Sequence, residues 1–354
     1  MSLVNGLRNV MDYRVLGRTG VRIAPLALGT DNFMDPTPAD ESARILEMAI
    51  SAGINLIDTG DTYANGAGEK IIGETVERLG RRHDVLIATK VDHGQRRPGY
   101  TVDDPAQFGP NDHGHTRLNI IRACENSLKR LRTDYIDLYQ IHRPSPDIPW
   151  EEQLSALDSL VQQGKVRYVG CSTHPTWAVM NAIMVSELKG YARIVCEQPP
   201  YNLLDRRIEN ELIPMCETHG VGIITWSPMA MGVLAGRYSD PNNLPEDSRA
   251  VLRGGFYADR VTQRGIDVGI EFSRLAKEVG LSAAQLAVVW SKEQPGITAP
   301  LIGPRTVPQL ESFLEIMEAQ LDPGIRATCD ELVPPGSAVA NFHNTADWMK
   351  AKIV

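Results

Sequence analysis

Apolar positions along the chain follow two alternating periods. Short, nearly continuous apolar runs are separated by longer stretches in which apolar residues return every three or four positions. The first segment, residues 13–23 (YRVLGRTGVRI), has two short runs split by Gly17 and Gly20 and predicts a β-hairpin. After it the rhythm is strand, then helix. Strands are predicted at 26–29, 55–59 (NLIDT), 85–90 (VLIATK), 136–142 (IDLYQIH), 166–172 (VRYVGCS), 193–198 (RIVCEQ), 222–227 (GIITWS) and 299–303 (APLIG). Helices are predicted between them at 39–52, 67–79, 117–132, 150–163, 175–188 and 208–218. Two more follow at 263–279 and 282–294, and one at 307–319 after the last strand.

Eight strand–helix cycles with strands apolar on both faces favour an α/β fold of one kind, a closed (β/α)8 TIM barrel with an N-terminal hairpin, over an open doubly wound sheet. The rhythm has no break and no linker, so residues 1–354 read as a single domain, with 1–12 an N-terminal extension and 321–354 a C-terminal tail over the barrel. Residues 92–116 and 228–262 exceed ordinary loop length. Both follow strands, so topology puts them on the face where such barrels build active sites.

Composition narrows the function class. The 42% hydrophobic and 23% charged content is that of a globular protein in water, and no window reaches the apolar length of a membrane span. A net charge of -8 and a pI near 5.6 argue against a nucleic-acid partner. The N-terminus lacks the apolar region of a secretory signal. Five scattered cysteines without Cys-x-x-Cys spacing read as reduced thiols, and the location expected is the cytoplasm.

The chemistry lies at the strand ends. Asp58 is near the end of the second barrel strand and Tyr63 just beyond it; Lys90 ends the third and His142 the fourth. Singly, each has a local reading: a turn cap, a solvated strand end, a core histidine. Together, on one rim, they suit proton transfer to a carbonyl oxygen. Tyrosine is a poor acid at neutral pH. A neighbouring Lys90 ammonium is expected to lower the Tyr63 pKa, with Asp58 holding the lysine and His142 orienting the substrate oxygen. No metal-ligand set accompanies them; His113 and His115 lie in a Gly/Pro-rich loop and read as exposed.

A proton donor needs a hydride source. No Rossmann fingerprint follows the first strand, and Gly66–Gly73 (GAGEKIIG) has the wrong spacing. The eighth strand instead runs through Gly303 and Arg305 into a helix, where barrels place phosphates. Arg305 offers a fork of donors suited to a phosphate monoester. Trp226 ends the seventh strand and offers a flat face for a nicotinamide, or serves as an ordinary core residue.

With INLIDTGDTY, LIATK and DLYQIHRP in that order, the chain resembles the aldo-keto reductase family over nearly its whole length, in the subgroup resembling bacterial aldo/keto reductases and potassium-channel β subunits. The resemblance implies a barrel that binds NADPH in extended form and a tetrad of Asp58, Tyr63, Lys90 and His142, with Tyr63 as general acid. It implies cofactor contacts from Gly29, Thr30, Asp58, Ser172, Gln198, Trp226, Ser227, Pro228, Met229, Gly232, Gly303, Arg305 and Gln309. The chain departs from the family's pattern at Thr173, where asparagine is frequent, and at Ser312 and Phe313, where a Glu-Asn pair often meets the adenine. Arg305 suits a 2′-phosphate without requiring one, so NADH stays open.

The activity implied is reversible reduction of a small-molecule aldehyde or ketone. The alternative is an NADPH-binding, redox-sensing accessory subunit of a channel or complex with little turnover; a metal-dependent barrel hydrolase lacks its ligands. Candidate substrate-pocket walls are Phe33, Met34, Trp150, Met229, Phe256, Tyr257 and Trp348, with Tyr63 and His142 at the reacting end. Such walls fit a ketone or aldehyde on a ring, and each also reads as packing a loop onto the barrel. Oligomeric state is not legible.

Overall fold

The apolar runs close into a barrel. The computed structural model describes residues 11–92, 108–112, 114–342 and 350, and of Phe256 the backbone alone. β1 (Arg14–Val15) and β2 (Arg22–Ile23) pair antiparallel, with Arg14 opposite Ile23. Eight parallel strands follow: β3 (Ala27–Gly29), β4 (Leu56–Asp58), β5 (Leu86–Val91), β6 (Ile136–Ile141), β7 (Val166–Ser172), β8 (Ile194–Gln198), β9 (Gly222–Thr225) and β10 (Ala299–Ile302). Each pairs with the next, and β10 closes the ring by pairing with both β9 and β3.

Helices cover the outside: α1 (Ala39–Ser51), α2 (Ala67–Leu79), α3 (Arg117–Leu131), α4 (Trp150–Gln162), α5 (Thr176–Lys189) and α6 (Leu212–His219). The chain continues through α7 (Arg249–Arg253), α8 (Phe256–Asp259), α9 (Gln263–Glu278), α10 (Ala283–Lys292), α11 (Val307–Leu314) and α12 (Pro323–Leu332). Their ends follow local chemistry. Thr116 accepts from Asn119 N–H at the start of α3, Ser282 and Gln285 form a reciprocal capping box on α10, and Gly80 ends α2 in the left-handed region.

Three elements differ from expectation. The sixth helix begins at Leu212 rather than at residue 208, which leaves Pro214 in the first turn, where its missing N–H costs nothing. The helix after β10 stops at Leu314 instead of running to residue 319. The long segment at 228–262 and the C-terminal tail, for neither of which a helix was predicted, contain helix: α7 and α8 after β9, and α12 in the tail, started by an Asp322 cap with Pro323 behind it.

Strand alternation sorts the barrel interior into layers. Leu56, Ala88, Leu138, Cys196, Ile224, Ala299 and Leu301 fill the lower interior, and Leu16 and Ile23 of the hairpin join them. The hairpin thus plugs the N-terminal end. Gly17 makes this docking possible: its φ is +54°, and a Cβ there would lie 2.5 Å from the Gly222 nitrogen. Around the barrel, Gly73 of α2 lets the end of α3 approach, since a Cβ would fall 2.5 Å from the Leu131 carbonyl carbon. Among the described residues no helix is long and apolar enough to cross a membrane, and all five cysteines are free and buried.

Candidate active site

Two residues above the apolar layer, the same inward positions become polar. Asp58 follows Leu56, Lys90 follows Ala88, Gln140 follows Leu138 and Gln198 follows Cys196. Lys90 Nζ donates to Asp58 Oδ2 at 2.6 Å, to the Thr59 carbonyl at 2.7 Å and to the Tyr63 hydroxyl at 3.2 Å. The other Asp58 oxygen accepts from Gln198 Nε2 at 2.7 Å and from Gln140 Nε2 at 3.3 Å. Asp58 and Lys90 are buried, so each charge is held by its partners rather than by water.

Burial pulls the Lys90 ammonium below its usual value, and the Asp58 carboxylate opposes that. The Tyr63 phenol is pushed well above its usual value, first by burial and then by Asp58, with the Arg143 guanidinium pulling it down. The expectation of a lowered pKa is not met, because burial of the phenol and the nearby Asp58 carboxylate outweigh the pull of the surrounding cations. The phenol is thereby kept protonated, the state that a proton donor requires.

His142 continues from β6 and presents its ring edge-on to Tyr63, with centroids 5.8 Å apart and planes at 66°. Its Nδ1 lies 3.4 Å from Asp92 Oδ2, and both side chains are largely buried. Asp61, two residues before Tyr63, is buried too, and burial, Glu69 and Asp92 together push its carboxyl well up. His115 Nδ1 is 2.5 Å from the Ser145 hydroxyl and its Nε2 3.1 Å from the Val91 carbonyl, so this histidine packs the loop onto β5. His113 lies outside the described residues.

The floor beyond the tetrad is a polar strip across β6, β7 and β9. Arg143 Nη1 donates to the His142 carbonyl at 2.7 Å and to the hydroxyls of Ser172 and Thr173, both at 3.2 Å. Ser172 Oγ donates to the Gln198 carbonyl at 2.9 Å, and Trp226 Nε1 donates to Thr173 Oγ1 at 3.2 Å. Below the strip, Glu197 accepts from Cys171 Sγ at 2.9 Å and from the His174 N–H at 3.0 Å. This Cys171, His174 and Glu197 group has ligand-type atoms within 4.8 Å of one another; its hydrogen bonds, with His174 Nδ1 3.0 Å from the Ser172 carbonyl, anchor the loop after β7.

A cleft of about 720 Å³ opens over this rim. Gly29, Thr30, Asp58, Tyr63, His142, Gln198, Trp226, Ser227, Pro228, Met229, Gly232, Tyr257, Gly303, Arg305 and Gln309 line it. Lys90 and Ser172 sit beneath, both fully buried. Phe33 and Trp150 are not brought to the cleft: Phe33 is sealed in the core, and Trp150, the first residue of α4, tilts against His174 at 5.3 Å. Met34 is exposed and off the wall. Trp348 and the side chain of Phe256 lie outside the described residues.

The walls also carry groups that the sequence reading missed. The guanidiniums of Arg143, Arg237, Arg249, Arg253 and Arg260 join Arg305 on the cleft, as do Asp31, Asp92 and Phe313. Spacing alone does not separate these arginines from solvated ones in a long loop. Gln140 was missed as well, although its inward position between Leu138 and His142 is a signal that could have found it. The donor set suits a dinucleotide: guanidiniums of Arg237, Arg249, Arg253 and Arg305 for phosphates, the α11 N-terminus beside Gly303, and Trp226 for a ring.

Residues 25–334 match the model of the Aldo/keto reductase family. The chain is 38% identical over 333 residues to "Uncharacterized oxidoreductase YrpG" of Bacillus subtilis (strain 168), covering 92% of this chain and 97% of that protein. It is 34% identical over 300 residues to "Probable voltage-gated potassium channel subunit beta" of Oryza sativa subsp. japonica, covering 83% and 87%. A protein of the same name from Arabidopsis thaliana is 31% identical over 315 residues, covering 87% and 92%.

Proposed function

The chain belongs to the aldo/keto reductase family, and from that premise we propose that it is an NADPH-dependent carbonyl reductase in which Tyr63 protonates the substrate oxygen. The observation that carries this reading is the Lys90 Nζ held 2.6 Å from Asp58 and 3.2 Å from the Tyr63 hydroxyl at the floor of the cleft. A bound nicotinamide would supply the hydride to the carbonyl carbon. The chain's residues do the rest. Tyr63 gives its phenolic proton to the oxygen, and the Lys90 ammonium stabilises the phenolate as charge develops. Asp58 fixes Lys90 in place, and Gln140 and Gln198 fix Asp58. His142 offers the oxygen a second polar contact and sets its direction. The same groups run in reverse for an alcohol, with the phenolate accepting the proton.

Trp226 would stack on the nicotinamide, Gln198 would meet its carboxamide, and Gly303, Arg305 and Gln309 would hold the far phosphate. Arg305 is the reason for preferring NADPH to NADH. Tyr63→Phe tests the acid role: NADPH binding persists while reduction across a panel of aldehydes and ketones falls by about two to four orders of magnitude. Full activity in that variant would remove Tyr63 from the role.

The names of the plant relatives favour a second reading, an NADPH-binding accessory subunit with little turnover. Tight NADPH binding without oxidation of the nicotinamide by any carbonyl in the panel would select it.

A further inference from the structure

Two of the cleft's guanidiniums stand apart from those suited to the cofactor phosphates. Arg143 directly follows His142, and its Cζ lies 5.8 Å from the centroid of the Trp226 ring. Its bonds to the His142 carbonyl and to the Ser172 and Thr173 hydroxyls fix it beside the proton donor. Arg260, between α8 and α9, reaches the same ring from the long loop, with its Cζ 5.2 Å from the centroid. The Phe342 ring is 5.0 Å from that Cζ and the Tyr257 ring 5.9 Å. Arg260 is only 3% exposed, and what it presents lines the cleft.

A guanidinium so placed is expensive to keep charged. Aromatic faces return part of the lost hydration. Even so, burial pulls Arg260 down to about 10, with Arg143 and Arg249 adding like-charge repulsion and Tyr257 and Asp205 opposing the shift. Two cations drawn to one ring in a water-poor corner make a region of positive potential that an anion would relieve. The same attraction in open solvent would be screened away. The corner also adjoins Tyr63 and His142, where the carbonyl is reduced.

We propose that the carbonyl substrate carries an anionic group, a carboxylate or a phosphate, which Arg260 and Arg143 hold beside Trp226 while the carbonyl meets Tyr63 and His142. This rests on the carbonyl-reductase reading and deepens it. Tyr257, which lines the cleft, walls the link between the two ends of the substrate. The arginines take no part in the transfer of hydride or proton; they set which carbonyl compounds are held.

Matched pairs of substrates test this in the unaltered protein, where no variant has to fold. One pair is 4-carboxybenzaldehyde and its neutral amide, 4-carbamoylbenzaldehyde; the other is glyceraldehyde 3-phosphate and glyceraldehyde. The charged member of at least one pair should show a kcat/KM about tenfold to hundredfold higher, the range for a hydrogen bond to a charged group. The difference should sit in KM rather than kcat. Whichever pair shows the larger ratio identifies carboxylate or phosphate as the group. Arg260→Met should bring that ratio close to one, and Arg260→Lys should restore part of it.

Equal kcat/KM within both pairs overturns the subsite and leaves the reductase reading standing. A raised KM for NADPH in Arg260→Met, with the ratio unchanged, overturns it as well and assigns the residue to the cofactor. If no aldehyde is turned over, calorimetry decides on protein loaded with NADP⁺. Preferential binding of 4-carboxybenzyl alcohol over its amide, or of glycerol 3-phosphate over glycerol, lost in Arg260→Met, supports the subsite although the reductase reading fails; equal binding within both pairs overturns both.

Discussion

Lys90 Nζ lies 2.6 Å from Asp58 Oδ2, and neither side chain has appreciable contact with solvent. The pair replaces the apolar residues found one layer below, so the barrel interior changes from hydrocarbon to charge within one repeat of the strand. A buried pair is costly to form and costlier to break, because a lone partner keeps the desolvation penalty. Asp58→Asn is expected to destabilise the fold by about 3–5 kcal/mol. Adding Lys90→Met to it should recover part of that loss by removing the stranded ammonium. Urea unfolding of the single and double variants checks this; equal stability of Asp58→Asn and wild type would contradict it.

Glu197 predicts a pH dependence. It accepts from Cys171 and from the His174 N–H, yet burial pushes its carboxyl up to about 7. The folded state therefore binds this proton more tightly than the unfolded chain does. Its contribution to stability is fully present below the unfolded value and is lost as pH rises through about 7. The shift from the ordinary value of 4.5 makes the loss at most about 3 kcal/mol. Glu197→Gln has no such titration, so relative to wild type it should gain stability between about pH 5 and about pH 8. Denaturation midpoints at the two pH values give the difference directly, and parallel curves for the two proteins would exclude Glu197 as the titrating group.

How far the sequence carried depends on the kind of signal. The barrel was legible because strands buried on both faces read as continuous apolar runs, and eight of them alternate with helical periodicity. The clustering of these side chains was legible because strand ends fix height: Asp58, Lys90 and His142 lie at the ends of neighbouring strands, so they meet whatever the loops do. Residues on long loops were another matter. Arg249, Arg253 and Arg260 reach the cleft only because the segment after β9 folds back over the mouth, and nothing in their spacing encodes that return. Apolar loop residues failed in the opposite sense. Phe33 and Trp150 were read as pocket walls or as packing, and the packing alternative holds, because a large ring gains more from burial than from lining a wet cleft. The direction of the Tyr63 shift was misread because a lysine's effect was counted without the burial of the phenol, which dominates, and without the Asp58 carboxylate beside it.

Arg305 should set the choice of cofactor. Its backbone N–H donates to Gln309 Oε1 at 2.8 Å, and its Nη1 donates to the Asp247 carbonyl at 3.1 Å, which ties the guanidinium to the segment before α7 on the wall of the cleft. Arg305→Ala is expected to raise the KM for NADPH about tenfold to hundredfold, the range for losing a hydrogen bond to a charged group. The KM for NADH should move much less. Steady-state kinetics with both cofactors and one aldehyde measure the two, and equal rises would deny Arg305 a contact with the 2′-phosphate.

The segment after β9 is strapped to the loop after β3 across the mouth of the cleft. Arg249 pairs with Asp31; Arg253 donates to the Asp35 carbonyl at 3.1 Å and to the Asp31 carbonyl at 3.4 Å, and its Nη1 lies 3.4 Å from Asp35 Oδ2. Both arginines also line the cleft, so the strap is placed to slow the exit of a ligand held beneath it. These pairs are half exposed, and each is worth little on its own and is weakened by salt. Their effect should therefore appear in a rate. Arg253→Ala should speed NADPH release several-fold, within the roughly 0.2–1 kcal/mol of an exposed pair plus its hydrogen bonds. Wild-type release should quicken as salt is raised, and the variant's should respond less. Stopped-flow fluorescence of the nicotinamide follows both. A wild-type release rate indifferent to salt and to Arg253→Ala would mean that cofactor exit is limited elsewhere, and the strap would then be a packing contact of the loop rather than a gate.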